Sequence, residues 1–173
     1  IQIRTAPSWD EIEQVWKLWY IRFGDDGNGA SGSGYAISKD GIHWEKPVVG
    51  VVEYKGNKQN NLVMVKGDPK AFTQHIFIDP HAPPETRYKG MIGPRGRQPI
   101  VSADGFVFTK LDVPPIPSED ESQIYWDEVE QRYIFTVKHN GPFGRSVYLS
   151  LSDDFLHWTD PELIYHPGSA EQS

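Results

Sequence analysis

Apolar residues come in short runs along this chain, and each run is bounded by Gly, Pro, Asn or Asp. In the last third, SQIYW (Ser122–Trp126), RYIFTV (Arg132–Val137), SVYLSLS (Ser146–Ser152) and HWTDPELI (His157–Ile164) are rich in Ile, Val, Tyr, Phe and Trp. Runs of that length and composition predict four strands. WDEVEQ, HNGPFG and SDDFLHW then read as the turns between them. Near the start, EIEQVWKLWY (Glu11–Tyr20) would suit a helix on propensity alone.

Two repeated phrases decide that ambiguity. WDEIEQ begins at Trp9 and WDEVEQ at Trp126, 117 residues later. ISKDGIHWEKPVV (Ile37–Val49) likewise matches LSDDFLHWTDPEL (Leu151–Leu163) at an offset of 114. A weaker copy lies between them: VSADGFVFTKL (Val101–Leu111) keeps Ser102 and Asp104, and IDPHAPPETRYKGMI (Ile78–Ile92) precedes it with Asp79 and Tyr88 in the places of Asp127 and Tyr133. RYIFTV follows its turn as a strand, so VWKLWY must do the same. The repeat gives three units, at residues 1–50, 60–111 and 120–164, joined by EYKGNKQ and DVPPIPSED. A period near fifty residues suits a propeller blade. The expected fold is all-β, a β-propeller of four-stranded antiparallel blades, with GDDGNGASGSG as a long hairpin loop in the first unit. Asp10 and Asp127 are expected to accept backbone N–H groups in their turns. The Ser-x-Asp phrase should bond its own turn, with Trp44 and Trp158 buried between sheets. His43 and His157 read as turn residues, not ligands or bases.

Composition narrows the class. The chain has 173 residues, of which 38% are hydrophobic and 13% aromatic, too apolar for a disordered segment. A net charge of −7 with no Lys/Arg cluster argues against nucleic acid as a partner. No apolar run is long enough to span a membrane. The opening IQIRT, without Met, reads as a mature product or a fragment. With no Cys, thiolate metal sites and thiol nucleophiles are excluded. That leaves the compartment open, with a secreted or periplasmic location favoured.

SKDGIHWEKP, SDDFLHWTDP and FIDPHAPPETRYKG together resemble the five-bladed β-propeller glycoside hydrolases of the clan that includes families 32 and 43, and especially its uncharacterised bacterial relatives. The resemblance covers nearly the whole chain but only three of five blades. It implies a partial propeller whose remaining blades come from the rest of a longer polypeptide or from another chain. It also implies carbohydrate as the partner, and two carboxylates flanking a glycosidic bond. Such residues open the innermost strand of each blade in that clan. In the third unit Glu119, Asp120 and Glu121 stand there, and Glu121, six before Asp127, matches the general acid. Asp120 is its companion, and crowding among these acids is expected to raise their pKa values. The same place holds Thr73 in the second unit and Arg4 in the first, so the isolated chain is expected to be inactive.

SEDES also reads as a solvated acidic linker or a cation site, and a structural calcium is compatible with it. No other metal or cofactor is implied. Arg4, His75, Gln123 and Arg145 are the candidate sugar-binding residues, with Asn60 and Asn61 as rim contacts. Asp79 stands in an Asp-Pro pair like that of a catalytic motif of family 32, but by repeat position it is a turn residue. Three classes of function stay open: a glycoside hydrolase, a carbohydrate-binding propeller without catalysis, and a protein-interaction propeller.

Overall fold

The computed structural model describes residues 1–23 and 30–168. Twelve strands are formed: β1 (Ser8–Asp10), β2 (Val15–Phe23), β3 (Ala30–Ser38), β4 (Leu62–Val65), β5 (Thr73–Ile78), β6 (Tyr88–Ile92), β7 (Gln98–Ser102), β8 (Val107–Lys110), β9 (Glu119–Asp127), β10 (Arg132–Gly141), β11 (Gly144–Ser152) and β12 (Glu162–Tyr165). Among the described residues the sole helical piece is a 3₁₀ turn at Pro84–Thr86. The segment from Glu11 to Tyr20 is a turn followed by strand, as the repeat requires.

The chain forms two compact units, one of Ile1–Ile92 with Ile100–Leu111, the other of Gly93–Pro99 with the chain from Asp112 onward. β9 to β12 make a four-stranded antiparallel sheet in sequence order. The other eight strands run β1-β2-β3-β4-β8-β7-β6-β5. β4 is a strand that the sequence pattern did not isolate. It pairs antiparallel with β3, Val63 opposite Ser33, and parallel with β8, Met64 opposite Val107, so it joins two sets of strands edge to edge. In the first unit, the run after the Ser-x-Asp turn makes one bridge, Ile37 to Glu45, before Pro47 ends it.

The expected loop GDDGNGASGSG is shorter than its composition suggests, because strand resumes at Ala30; its first six residues lie outside the described residues. Gly34 is glycine for a packing reason: an added Cβ would run into the ring of Tyr20.

The repeated phrases fold into the same local structures. Asp10 Oδ1 accepts the amides of Ile12 (2.9 Å) and Glu13 (3.2 Å). Asp127 Oδ1 accepts those of Val129 (2.9 Å) and Glu130 (3.3 Å). The turns close on left-handed residues, Gln14 at φ 55° and Gln131 at φ 53°. Each of these side chains donates back to the backbone carbonyl three residues earlier, at 2.9 and 2.8 Å. Asp79 takes the same place, accepting the His81 amide at 2.9 Å while its other oxygen meets Lys89 at 2.6 Å. It is a buried turn residue.

The Ser-x-Asp phrase also repeats its bonds. Ser38, Ser102 and Ser152 each hydrogen-bond the Asp two residues on. Those aspartates accept the two amides that follow: Ile42 and His43, Phe106 and Val107, Leu156 and His157. In the outer two copies the His Nδ1 sits 2.7 Å from the aspartate, on an exposed turn. The hydrogen bond and charge of Asp40 raise the pKa of His43. That shift stabilises the fold at pH below the ordinary histidine value, and the stabilisation is lost as pH rises through the raised one. NMR titration of the His43 ring should therefore give a midpoint above that of a free histidine, and Asp40→Asn should bring it back down.

The two tryptophans of this phrase depart from expectation. Trp44 and Trp158 are half-buried, not buried, each donating to a backbone carbonyl three residues earlier, Gly41 at 3.2 Å and Phe155 at 3.1 Å. A carbonyl within its own turn holds each indole N–H near the surface, so Trp158→Ala should cost about 2 kcal/mol in urea unfolding, below the range of a fully buried ring.

Burial falls elsewhere. In the first unit Trp19, Tyr35, Val63, Val65, Ile76, Tyr88, Ile92, Ile100 and Phe108 form one cluster. Trp19 packs tilted against Tyr35 (5.3 Å) and edge-on to Tyr88 (5.7 Å), and its Nε1 donates to the Gly105 carbonyl at 2.8 Å. In the second compact unit Phe155 and Trp158 pack 5.7 Å apart, with Tyr133 against Phe155 and Phe135 against Trp158.

Candidate functional site

β9 is an antiparallel partner of β10 at both ends, but its start is distorted. Glu119 faces Lys138 and Gln123 faces Thr136, so Asp120, Glu121 and Ser122 together stand opposite Val137. Asp120 is left-handed, at φ 24°. A bulge of this kind lifts residues out of the ladder, re-aims their side chains and frees their carbonyls. The carbonyls are taken up by Arg97, a fully buried arginine on the segment Gly93–Pro99. Its guanidinium donates to the carbonyls of Gly93, Asp120 and Glu119 and to the Ser122 hydroxyl, the last at 3.2 Å. The segment is held beside β9 by main-chain bonds: Arg97 N–H to the Ile116 carbonyl (2.7 Å), its return (2.9 Å), and Gly96 N–H to the Ser118 carbonyl (2.8 Å).

The bulged residues face cations on neighbouring strands. Asp120 pairs with Arg145 of β11 at 3.1 Å, and Glu121 with Lys138 of β10 at 3.4 Å. Both carboxylates are largely exposed, Glu121 at 68%. Gln123 is exposed on the same strand, beyond the bulge.

The first unit carries its own polar group at the start of β5. Gln74 faces Met91 and Phe77 faces Lys89, so His75 and Ile76 share one place opposite Gly90. His75 is left-handed, φ 55°, and its Nδ1 lies 2.8 Å from the Arg4 carbonyl. A carbonyl can only accept, so Nδ1 carries the proton. His75 is buried, and the Arg4 guanidinium, half-buried, donates to Gln74 Oε1 at 3.2 Å. With the Gln2 amide turned to suit its neighbours, Gln2 Oε1 also accepts from Arg4. Thr73, in the place of Glu121, is buried and spends its hydroxyl on Ser33 at 2.9 Å. Asn60 and Asn61 are tied into the fold: Asn60 holds the Val52 carbonyl and the Leu62 amide, and Asn61 the Tyr20 hydroxyl and the Tyr35 carbonyl.

Among the described residues no group of three or more His, Asp or Glu is placed to hold a metal ion. Two neighbours of the candidate residues are not legible from the sequence pattern used above, Arg97 and Lys138. Lys138 could have been found from strand pairing with the acidic run. Arg97, in GPRGRQP, looks like any turn arginine, and no local signal marks it as buried.

No family model and no curated protein matches the sequence. Solved structures do. A fructofuranosidase from Schwanniomyces occidentalis, solved in complex with fructose, matches with a TM-score of 0.62 and 14% identity over 95% of this chain and 34% of its own. A GH32 β-fructofuranosidase from Bombyx mori matches at 0.55, with 14% identity over 96% of this chain and 35% of its own. An N-acetylgalactosamine deacetylase from F. plautii, in complex with blood group B trisaccharide, matches at 0.59, with 13% identity over 94% of this chain and 52% of its own. The chain thus has the all-β fold of the glycoside hydrolase propellers, and spans about a third of the length of the fructofuranosidases it resembles.

Proposed function

We propose that this chain is part of a carbohydrate-active propeller, and that the start of β9 meets an oligosaccharide. Glu121 is the proposed general acid and Asp120 its companion, with Gln123 and Arg145 binding sugar hydroxyls. Arg4 and His75 are the proposed sugar-binding groups of the first compact unit. The observation that carries this reading is the bulge at Asp120–Ser122, a distortion of the kind that re-aims side chains beside active sites. Structurally similar proteins solved with fructose and with a blood group trisaccharide support carbohydrate as the partner class. Further blades, from a longer polypeptide or a partner chain, complete the propeller and supply the second carboxylate.

A second reading is favoured by a specific observation. Each carboxylate at the bulge is answered by a cation, and Thr73 and Arg4 occupy the matching positions elsewhere. A pair of catalytic carboxyls about 5 Å apart in retaining enzymes, or about 6.5–9.5 Å in inverting ones, is what hydrolysis requires. Without it the surface binds sugar and does not cleave it.

Titration calorimetry and hydrolysis assays with fructosylnystose and arabino-oligosaccharides separate the two. This chain should bind without hydrolysing. Hydrolysis by a longer polypeptide that is abolished by Glu121→Gln supports the catalytic reading. Hydrolysis that survives both Glu121→Gln and Asp120→Asn leaves binding as their role. Absence of sugar binding in either form overturns both readings in favour of a protein-interaction propeller.

A further inference from the structure

We propose that Arg97 is the positioning residue of this site: its buried guanidinium sets the bulge that presents Asp120 and Glu121, and so decides where those carboxylates stand. The inference rests on the reading of β9 as a sugar-contacting surface, but its geometry stands apart from it.

The argument starts from backbone accounting. A strand that leaves its ladder exposes carbonyls that need new donors, since buried carbonyls without partners are rare. β9 leaves the ladder between Glu119 and Gln123. The carbonyls of Glu119 and Asp120 then point at Arg97, which also holds the Gly93 carbonyl and the Ser122 hydroxyl. A guanidinium offers five N–H groups in a fixed planar fork, so one side chain can serve several acceptors at set angles. Lys could carry the charge but not that geometry. Arg97 is fully buried, and its own main chain is fixed in both directions against Ile116. The fork therefore has little freedom, and the carbonyls it holds have little either.

The side chains follow from the backbone. Asp120 adopts φ 24°, a region that L-residues enter only when surroundings enforce it. From that conformation its carboxylate reaches Arg145, and Glu121, the next residue, reaches Lys138. Were β9 to regain a regular ladder, alternate side chains would return to alternate faces, and these pairs would change partners. Arg97 holds the backbone that carries both carboxylates, through the carbonyls of Glu119 and Asp120.

The test is Arg97→Lys in the chain as it stands, with thermal melting to confirm a folded sample. The decisive readout is NMR at Asp120. A left-handed residue gives a strong intraresidue HN–Hα NOE that an extended one does not. In the wild type that NOE and contacts between the Asp120 and Arg145 side chains should be present. In folded Arg97→Lys both should be lost or strongly weakened, which a merely stabilising arginine would not do. An unchanged NOE in folded Arg97→Lys overturns the proposal. Should Arg97→Lys not fold, Ser122→Ala removes one acceptor of the fork, and a weakened Asp120 NOE there supports the proposal while an unaltered one overturns it. Fructosylnystose affinity separates the two levels. If wild type binds it, Arg97→Lys should bind at least about tenfold more weakly, the scale of a displaced polar group; equal affinity overturns the positioning role. If wild type does not bind any sugar, the functional reading fails and the NMR result alone decides the role of Arg97.

Discussion

Replacing Asp10 by Ala should lower the unfolding free energy by about 3–5 kcal/mol, the scale of removing one partner from a buried ion pair. Asp10 is fully buried and gathers more partners than any turn residue needs. Lys17 reaches it at 2.8 Å and Arg87 at 2.6 Å, while the Tyr88 hydroxyl lies at 3.4 Å. Lys17 is itself buried and also meets Glu13 and the Tyr88 hydroxyl. Burial alone would raise the Asp10 pKa, but hydrogen bonds from Lys17, Arg87 and two backbone amides outweigh it and hold the carboxyl well below the usual range. A depressed folded pKa means that the stabilisation is present above the ordinary carboxyl value and is lost as pH falls through the depressed one. The variant loses this, and it leaves the Lys17 ammonium inside the fold with only Glu13 as a carboxylate. Urea unfolding at neutral pH measures the cost, and the gap to wild type should narrow in acid. A loss under about 1 kcal/mol would show that water reaches the site. The double variant Asp10→Ala/Lys17→Met should recover part of the stability, because it removes the stranded charge.

Phe155→Ala should be nearly as damaging, about 3–5 kcal/mol, and here Gly should do better than Ala. Phe155 is buried and left-handed, φ 67°. In the other two copies of the turn its place is held by Gly41 and Gly105, both at φ 77°. At Gly105 an added Cβ would meet Trp19 at 3.0 Å and Tyr88 at 3.1 Å, so the aromatic rings of that unit already fill the space. In the third copy the ring is supplied by the turn itself, packed near Tyr133 and Trp158. Ring burial thus outweighs the backbone strain, which is of order 1–3 kcal/mol for such a conformation. Alanine keeps the strain and loses the ring. Glycine loses the ring but also the strain, so Phe155→Gly should be the more stable of the two, by about 1 kcal/mol. Thermal unfolding of both variants decides it; Ala above Gly would mean that the backbone at 155 is unstrained.

Phe155 also shows how far the sequence could be read. The Ser-x-Asp phrase predicts its turn because every bond in it is local: Ser152 to Asp154, and Asp154 to the amides of Leu156 and His157. WDEIEQ and WDEVEQ are legible for the same reason. Their side chains fold onto their own backbone, so five shared letters give one hydrogen-bond pattern twice. That pattern was enough to reject a helix at Glu11–Tyr20 and to predict the all-β class.

The same letters say nothing about what faces them. Asp10 and Asp127 make matching turns, yet Asp10 is buried among three basic and phenolic groups while Asp127 is half-buried and has Ile134 where Asp10 has Lys17. The shared turn phrase that ends in Trp44 and Trp158 predicts both rings buried between sheets, but a carbonyl in their own turn holds each near the surface. β4 escaped notice because both its partners, β3 and β8, are distant in sequence and pair with it over only a few residues.

The candidate site divides along the same line. Glu119–Glu121, Gln123 and Arg145 could be named as candidates because the resemblance implies acids at the start of a blade's first strand, and the turn aspartate marks where that strand begins. The bulges at His75 and Asp120 could not, since a bulge depends on what takes up the carbonyls it frees, and for β9 that is an arginine more than twenty residues earlier in the chain. Sequence by itself determined the repeated turns, the strands that flank them and the acidic start of β9, whose interactions close within a few residues. Only the tertiary structure decided which aspartate is buried, which tryptophan is not, and that Arg97 holds the bulge, because each depends on burial and on donors brought from elsewhere in the chain.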